Sequence, residues 1–404
     1  MAKVITDKKI VSEVLDRGVE KIYPNRKDLE ELLCSGKRIR LYGGFDPSAP
    51  ALHIGNAILI NKLAQFQELG HEVIFLIGDF TGMIGDPTDK SAARKKMTRE
   101  EVLNNSINYE KQASAYLDFS GKNSARTLRN SEWSDKLSFK DLIEVSSNFT
   151  VQQMIQRDMF QKRLQEEKPI YLHEFLYPLA QGYDSLVMDV DLEIGGNDQM
   201  FNMMCGRDLM KAEKNKEKFV MTLKLLADDK GKKMGKSEGN AVFLDVEPNN
   251  MYGVIMSWPD GVIGSGFELC TKLPMSEVEE IKKKLKDQAV NPRDLKMKLA
   301  YEITKINHGE QAAIEAQDNF VKTVQKKEVP QEIEIKKIKE GKMNILDLLV
   351  LVGLAASKGE ARRLIGQNGV RLEGEVVADV DLEVVIGQGV LLQRGKRQFV
   401  KVVN

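Results

Sequence analysis

Two short segments of the sequence carry side chains suited to work on a phosphate. In the first, Tyr42-Gly43-Gly44-Phe45-Asp46-Pro47-Ser48 leads into Leu52-His53-Ile54-Gly55-Asn56. A strand ends, two glycines let another molecule approach the backbone, and a helix begins. A helix N-terminus presents N–H groups and a partial positive charge, which suits a phosphate. Ser48 and His53 add donors there, and Gly55 leaves room for a flat base or sugar. In the second segment, residues 230–240 read KGKKMGKSEGN. Three glycines and four lysines with no apolar face predict an exposed loop, in which Lys233 and Lys236 can both close on the charge a triphosphate develops. Taken singly, the first segment is also what a packed strand–helix turn with a capping histidine looks like, and the second is also an ordinary solvated charge run.

Recognisable elements must hold these segments. The helical pattern from about His53 to Leu69 places Leu59, Leu63 and Phe66 at spacings of four and three, and Gly70 stops it. Val73 to Ile77 is a continuous apolar run of β-formers, as a buried parallel strand requires, so the region reads as a βαβ unit. Ser185 to Ile194 is strand-like with acidic interruptions, and Val220 to Leu226 predicts another strand. From Ser276 the texture becomes helical. Ser276 with Glu279 has the capping-box pattern, and Asn291-Pro292 opens a helix to about Ile306. Residues 325–342, charged and containing Pro330, read as a linker. Residues 343–404 read as a small module: helices at Ile345 to Leu354 and Lys358 to Gln367, then short strands separated by glycines.

Composition narrows the function classes. The 404 residues suffice for two or three domains, and 42% hydrophobic with 30% charged residues is a globular balance. Sixty basic residues balance sixty acidic ones, which excludes gripping nucleic acid by bulk charge but allows local patches. Cys34, Cys205 and Cys270 lie far apart, so neither a disulfide framework nor a Cys-based zinc site is expected, and reduced thiols point to a cytoplasmic protein. With only four histidines, a protein-bound metal site is not expected either. The N-terminal stretch lacks the apolar core of a signal peptide, and the most apolar run, Leu348 to Ala356, is too short to span a bilayer.

The order His-Ile-Gly-Asn, then Lys-Met-Gly-Lys-Ser about 180 residues later, resembles the paired signatures of the class I aminoacyl-tRNA synthetases. Between them lie Ile77-Gly78-Asp79-Phe80-Thr81-Gly82-Met83-Ile84-Gly85-Asp86-Pro87, then Tyr177-Pro178-Leu179-Ala180-Gln181-Gly182-Tyr183-Asp184, then Gly195-Gly196-Asn197-Asp198-Gln199. With these the whole chain resembles the bacterial-type tyrosyl-tRNA synthetases, and residues 343–404 resemble an S4 RNA-binding domain. The resemblance implies an α/β fold: a Rossmann-like parallel-sheet catalytic domain over 1–245 with an insertion near 95–175, a helical anticodon-facing domain over 246–325, a linker over 326–342 and a small α+β S4-like domain over 343–404.

It also implies residue roles. Tyr42 and Asp184 would meet a substrate phenol; Asp86, Tyr177 and Gln181 its ammonium; Gln199 its carboxylate. Gly44 and Asp46 would line an ATP cleft with His53, Gly55 and Asn56, and Gly196 and Asp198 would lie near the ribose. His53, Ser48, Lys233, Lys236, Lys90 and Arg94 would stabilise the phosphoryl transition state, with Mg²⁺ on the pyrophosphate. Lys358, Arg362, Arg363 and Arg371 would contact RNA, although residues 343–404 hold only eight basic against seven acidic residues. L-tyrosine, ATP, a tyrosine tRNA and a second copy of the chain are the implied partners.

Two positions depart from the family pattern: Asn56 stands where histidine is usual, and Gly235 where serine is common. Three other readings compete. A tryptophan-activating relative would need a pocket for indole, which Tyr42 with Asp184 suits less well than a phenol. A non-catalytic RNA-binding scaffold would not be expected to keep His53, Asp86, Lys233 and Lys236. A different nucleotidyl transferase would not carry the tyrosine set.

Overall fold

The computed structural model describes residues 3–87, 97–227, 241–287, 290–325, 334–338, 341–386, 389–395 and 398–403. Lys90, Arg94, Lys233, Gly235 and Lys236 lie outside them. The chain divides into two compact units, Met1–Glu310 and Gln311–Asn404.

The first unit is built on a six-stranded sheet. Its strands are β1 (Val19–Tyr23), β2 (Arg40–Phe45), β3 (Glu72–Ile77), β4 (Arg126–Arg129), β5 (Leu192–Gly196) and β6 (Phe219–Leu223), in the order β1-β6-β5-β2-β3-β4. Every pairing is parallel except that of β1 with β6. From β2 the chain winds one way to β3 and β4, then returns to the other side with β5 and β6. The β2–β5 junction is therefore the topological switch point, where the carboxyl ends of the strands open a crevice for ligands. The central strands are apolar because both faces are covered: Val73 to Ile77 are all buried, and Phe75 stacks on Phe45 with ring centroids 4.5 Å apart.

The helix Ile54–Glu68 joins β2 to β3, and Leu172–Met188 leads into β5. The latter corrects the strand-like reading of Ser185 to Ile194. The helix runs on to Met188, and Asp189 ends it in the left-handed conformation with φ 50°. A short acidic side chain tolerates that conformation, so Asp189 marks a helix end, and only Leu192–Ile194 of the stretch belongs to a strand, β5.

Past the sheet come the helices Pro248–Met256, Ile263–Cys270, Met275–Lys286 and Pro292–His308. The Asn291 cap forms as expected, its side chain accepting from the Arg293 N–H. The capping box at Ser276 does not. The helix starts at Met275 after Pro274, so Ser276 already lies in its first turn. Glu279 instead pairs with Lys282. The guanidinium of Arg17 donates to the carbonyls of Phe267, Glu268, Thr271 and Leu273, satisfying acceptors that the end of the Ile263–Cys270 helix would leave bare.

In the second unit β7 (Glu334–Lys337), β9 (Val370–Leu372), β10 (Glu375–Val376), β12 (Val390–Arg394) and β13 (Gln398–Val403) form one sheet. Strands β8 (Lys342–Asn344) and β11 (Glu383–Val385) form a second. The helices Ile345–Leu351 and Lys358–Gly366 complete the unit. Leu348, Leu349, Ala361, Val370, Leu392 and Val402 are fully buried in its core. Strand β7 pairs parallel with β13, so part of the segment read as a linker belongs to the module's sheet.

Candidate functional site

Several of the sequence-predicted residues in the described part of the first unit lie around the switch point. Strand β2 carries Tyr42 inside the sheet and ends at Gly44 and Phe45, with Asp46 just beyond. Asp46 joins three segments: Oδ1 accepts from the Thr81 hydroxyl at 2.6 Å, and Oδ2 accepts from the Tyr177 hydroxyl at 2.8 Å. This closeness dictates the residue after β3. A Cβ on Gly78 would lie 2.0 Å from Asp46 Oδ1 and 2.5 Å from Thr81 Oγ1. Burial and the charge of Asp46 hold the Tyr177 phenol well above its usual range.

The first signature forms a reciprocal cap. The Asn56 N–H donates to His53 Nδ1 at 3.3 Å, and the His53 N–H donates to Asn56 Oδ1 at 3.0 Å. Two consequences follow. Asn56, the departure from the family pattern, serves as the third residue of a capping box. And because His53 Nδ1 accepts, the neutral ring carries its proton on Nε2, leaving that nitrogen as the donor. A Cβ on Gly55 would meet the His53 ring at 2.9 Å, so the glycine also makes room for the folded-back imidazole. The chain returns to this point after the second signature: Ile54 N–H donates to Val242 O, Leu244 N–H donates to Leu52 O, and Phe243 bridges His53.

Three residues of the expected tyrosine set, Tyr177, Gln181 and Asp184, lie with Ser185 on one face of the helix Leu172–Met188, where they recur at helical spacing. Asp184 is 2% exposed and accepts from Trp133 Nε1 at 2.8 Å and Asn130 Nδ2 at 3.2 Å. Burial drives its carboxyl well above the usual range against the pull of those two donors. Tyr42 packs with Ile74, Leu76, Met188, Val190 and Trp133. Its hydroxyl lies 2.9 Å from Ser185 Oγ, and burial first, then Glu193, raises its pKa. Gln181 donates to Glu193 Oε1 at 2.9 Å. Gln199 donates to Asp86 and accepts from Asn202 at 3.0 Å, which brings the expected ammonium and carboxylate ends of the site into contact. Asp198 is exposed beside half-buried Gly196 at the end of β5.

Thr81, Asn130, Trp133, Ser185, Glu193 and Lys218 belong to this network and escaped the sequence reading. Only Glu193 carried a signal. An acid inside an otherwise apolar parallel strand needs a buried partner, and Lys218 at the mouth of β6 supplies it. Among the described residues no group of three His, Cys, Asp or Glu side chains is placed to hold a metal ion.

In the second unit Lys358, Arg362 and Arg363 are exposed on the Lys358–Gly366 helix, which Ser357 caps. Lys358 pairs with Asp347 at 2.5 Å. Exposed Arg371 donates to Gly374 O at 2.8 Å.

Residues 35–325 match the family model of tRNA synthetases class I (W and Y), so the chain belongs to that class. Residues 323–402 match the Tyrosine--tRNA ligase SYY-like C-terminal domain. The chain is 44% identical over 393 residues to a tyrosine–tRNA ligase of Thermotoga maritima, covering 96% of each. It is 42% identical to one of Moorella thermoacetica, covering 96% of this chain and 94% of the relative. Within the class it is therefore a member of the tyrosine–tRNA ligase family. Among solved structures it resembles a C-terminally truncated mitochondrial tyrosyl-tRNA synthetase of Coccidioides posadasii, with TM-score 0.63 and 25% identity over 76% of this chain and 91% of that one. In fold it also resembles a tyrosyl-tRNA synthetase of Archaeoglobus fulgidus solved with L-tyrosine, with TM-score 0.60 and 20% identity over 77% of this chain and 100% of that one.

Proposed function

We propose that the chain activates L-tyrosine with ATP to tyrosyl-adenylate and pyrophosphate, then transfers tyrosine to the 3′ end of its tRNA. The observation that carries this is the face of the helix Leu172–Met188, which carries Tyr177, Gln181 and buried Asp184 and, through Ser185 Oγ, comes within 2.9 Å of the Tyr42 hydroxyl. A substrate phenol meets Tyr42 and Asp184. Its ammonium meets Asp86, Tyr177 and Gln181, and its carboxylate lies near Gln199. ATP occupies the crevice beyond β2 and β5, along Gly44, Asp46, Gly55, Asn56, Gly196 and Asp198.

The substrate carboxylate is already an anion, so attack on the α-phosphate needs no general base. Catalysis is positioning plus stabilisation of the phosphoryl transition state. His53 Nε2–H and Ser48 donate from the helix entrance, and Lys233, Lys236, Lys90 and Arg94 neutralise the pyrophosphate. Mg²⁺ arrives with the ATP phosphates as part of the substrate. In the second step a terminal tRNA hydroxyl attacks the adenylate carbonyl.

The helical region 246–325 faces the anticodon, the segment at 326–342 connects it to the S4-like module, and Lys358, Arg362, Arg363 and Arg371 track the RNA backbone. Two copies associate through the insertion. Phe139 and Leu172 are each 78% exposed there, with Val151 and Ile143 also exposed, a surface that a partner copy would cover. No helix among the described residues is long and apolar enough to cross a membrane, and the enzyme acts in the cytoplasm.

Amino-acid-dependent ATP–pyrophosphate exchange tests the reading. Exchange with tyrosine, but not with phenylalanine or tryptophan, is the expected outcome. Exchange with tryptophan would overturn the phenol assignment, and no exchange with any amino acid would overturn the enzymatic reading.

A further inference from the structure

The two neutral side chains assigned to the substrate ammonium, Tyr177 and Gln181, each carry a donor as well as an acceptor. A donor turned towards an ammonium would repel it, so each must be held with its acceptor outward. For Tyr177 the means is already visible: its hydroxyl proton is given to the Asp46 carboxylate at 2.8 Å, and a lone pair is left. Gln181 poses a harder case. The oxygen and nitrogen of an amide are alike in size, so shape does not choose between its two orientations and only the hydrogen-bond partners do.

The partner of Gln181 is a second buried carboxylate. Its Nε2 donates to Glu193 Oε1 at 2.9 Å. Glu193 stands on β5 and is 2% exposed. Its other oxygen, Oε2, accepts from Lys218 Nζ and, at 3.2 Å, from Ser185 Oγ. Lys218 is fully buried at the mouth of β6 and also donates to Ser185 Oγ at 2.8 Å. A carboxylate held by an ammonium has only lone pairs to offer. Turning the Gln181 amide over would set its oxygen against that carboxylate. Two charges are costly to bury, and apolar residues in their place are often as stable or more so. Stability alone therefore does not account for the pair, whereas the need for an ionised acceptor behind Gln181 does.

We propose that Glu193, kept ionised by Lys218, is a positioning residue that holds the donor end of Gln181, so that Gln181 meets the ammonium of the amino acid with its oxygen. The proposal rests on the assignment of Gln181 to the substrate ammonium above. Tyr177 and Gln181 then follow one rule: a buried carboxylate behind each takes up its donor, and the substrate finds acceptors only.

The test compares the full chain's affinity for tyrosine, by equilibrium titration, with that for desaminotyrosine, by displacement of tyrosine. Desaminotyrosine keeps the phenol and the carboxylate and lacks the ammonium. Any disturbance of the phenol end falls on both ligands and cancels in their ratio. Removing one charge would strand the other, so both are replaced: Glu193→Met with Lys218→Met. The preference for tyrosine over desaminotyrosine should fall by about tenfold. Glu193→Gln with Lys218→Met, in which the new amide can present either end to Gln181, should move the ratio the same way by less. In a Gln181→Ala background the Met pair should leave the ratio where Gln181→Ala alone puts it, because Glu193 acts through that amide. An unchanged ratio in a folded variant would overturn the proposal. So would the same shift in the Gln181→Ala background, or failure of both pairs to fold, which would make the ion pair a structural element. Absence of tyrosine binding by the wild type would instead overturn the tyrosine reading itself.

Discussion

The hydroxyl of Tyr177 donates to the carboxylate of Asp46 across 2.8 Å, tying the helix Leu172–Met188 to the end of strand β2. The two residues are 131 positions apart in the sequence. Tyr177→Phe should raise the KM for tyrosine and for ATP together. In a double-mutant cycle with Asp46→Asn, the coupling in tyrosine activation should be about 1–3 kcal/mol, as for a hydrogen bond to a charged group. Strictly additive effects would separate the two sites.

The cap that His53 forms and the Nε2–H donation proposed for it can be parted by substitution. The cap should be worth about 1 kcal/mol, and the proposed donation to the transition state about 10²–10³ in rate. Asparagine can cap but cannot reach as imidazole does. His53→Asn should therefore keep the thermal midpoint near wild type while the exchange rate falls. His53→Ala should lower both.

Lys236 is proposed to act on the ATP phosphates as their charge develops, not on the amino acid. Lys236→Ala should slow adenylate formation by about 10²–10³ while the dissociation constant for tyrosine, from equilibrium titration, changes little. Equal losses in rate and in tyrosine affinity would assign it to ground-state binding.

Acid should loosen the first unit through His71. The residue is fully buried, and its Nδ1 lies 3.4 Å from the Ile39 N–H that donates to it. Burial, then nearby Arg38, lowers its pKa from 6.5 to about 4. The folded state thus binds fewer protons than the unfolded state between those values. The stabilisation is complete above pH 6.5 and is lost as pH falls towards 4, at up to about 1.4 kcal/mol per unit. Urea midpoints of wild type should fall more steeply across that window than those of His71→Gln. Parallel curves would remove His71 from the account.

The exposed arginines of the second unit should act only on RNA. Arg362→Ala with Arg363→Ala should leave pyrophosphate exchange unchanged, raise the KM for tRNA and reduce the salt dependence of tRNA binding. An effect on exchange would place those residues in the first step.

Local features of the fold were legible, and distant pairings were not. The His53 cap and the apolar run of β3 are written in consecutive residues, whereas the glycine pair read as a turn after the strand lies inside β2, where Gly43 and Gly44 pair with Phe75 and Leu76. The tyrosine set was found by resemblance, because its motifs stand in fixed order. The partners that hold it were hidden. Asp184 relies on Trp133 and Asn130 more than fifty residues upstream, and no local pattern predicts which indole or amide will meet a buried acid. Ser185 to Ile194 misled because a helix end and a short strand lie three residues apart, with Asp189 as the hinge between two periodicities. Lys218 reads as the last of a run of surface lysines until the parallel strands place it beside Glu193.

The parallel pairing of β7 with β13 bears on where the chain can be cut. A fragment beginning at Met343 would look whole by sequence texture, yet it would expose the flank of Val400–Val403 as an unpaired sheet edge. Such an edge is a template for another chain's strand. A piece that keeps this pairing starts no later than Glu334, and a shorter one should self-associate through the bared edge by a route that has nothing to do with RNA.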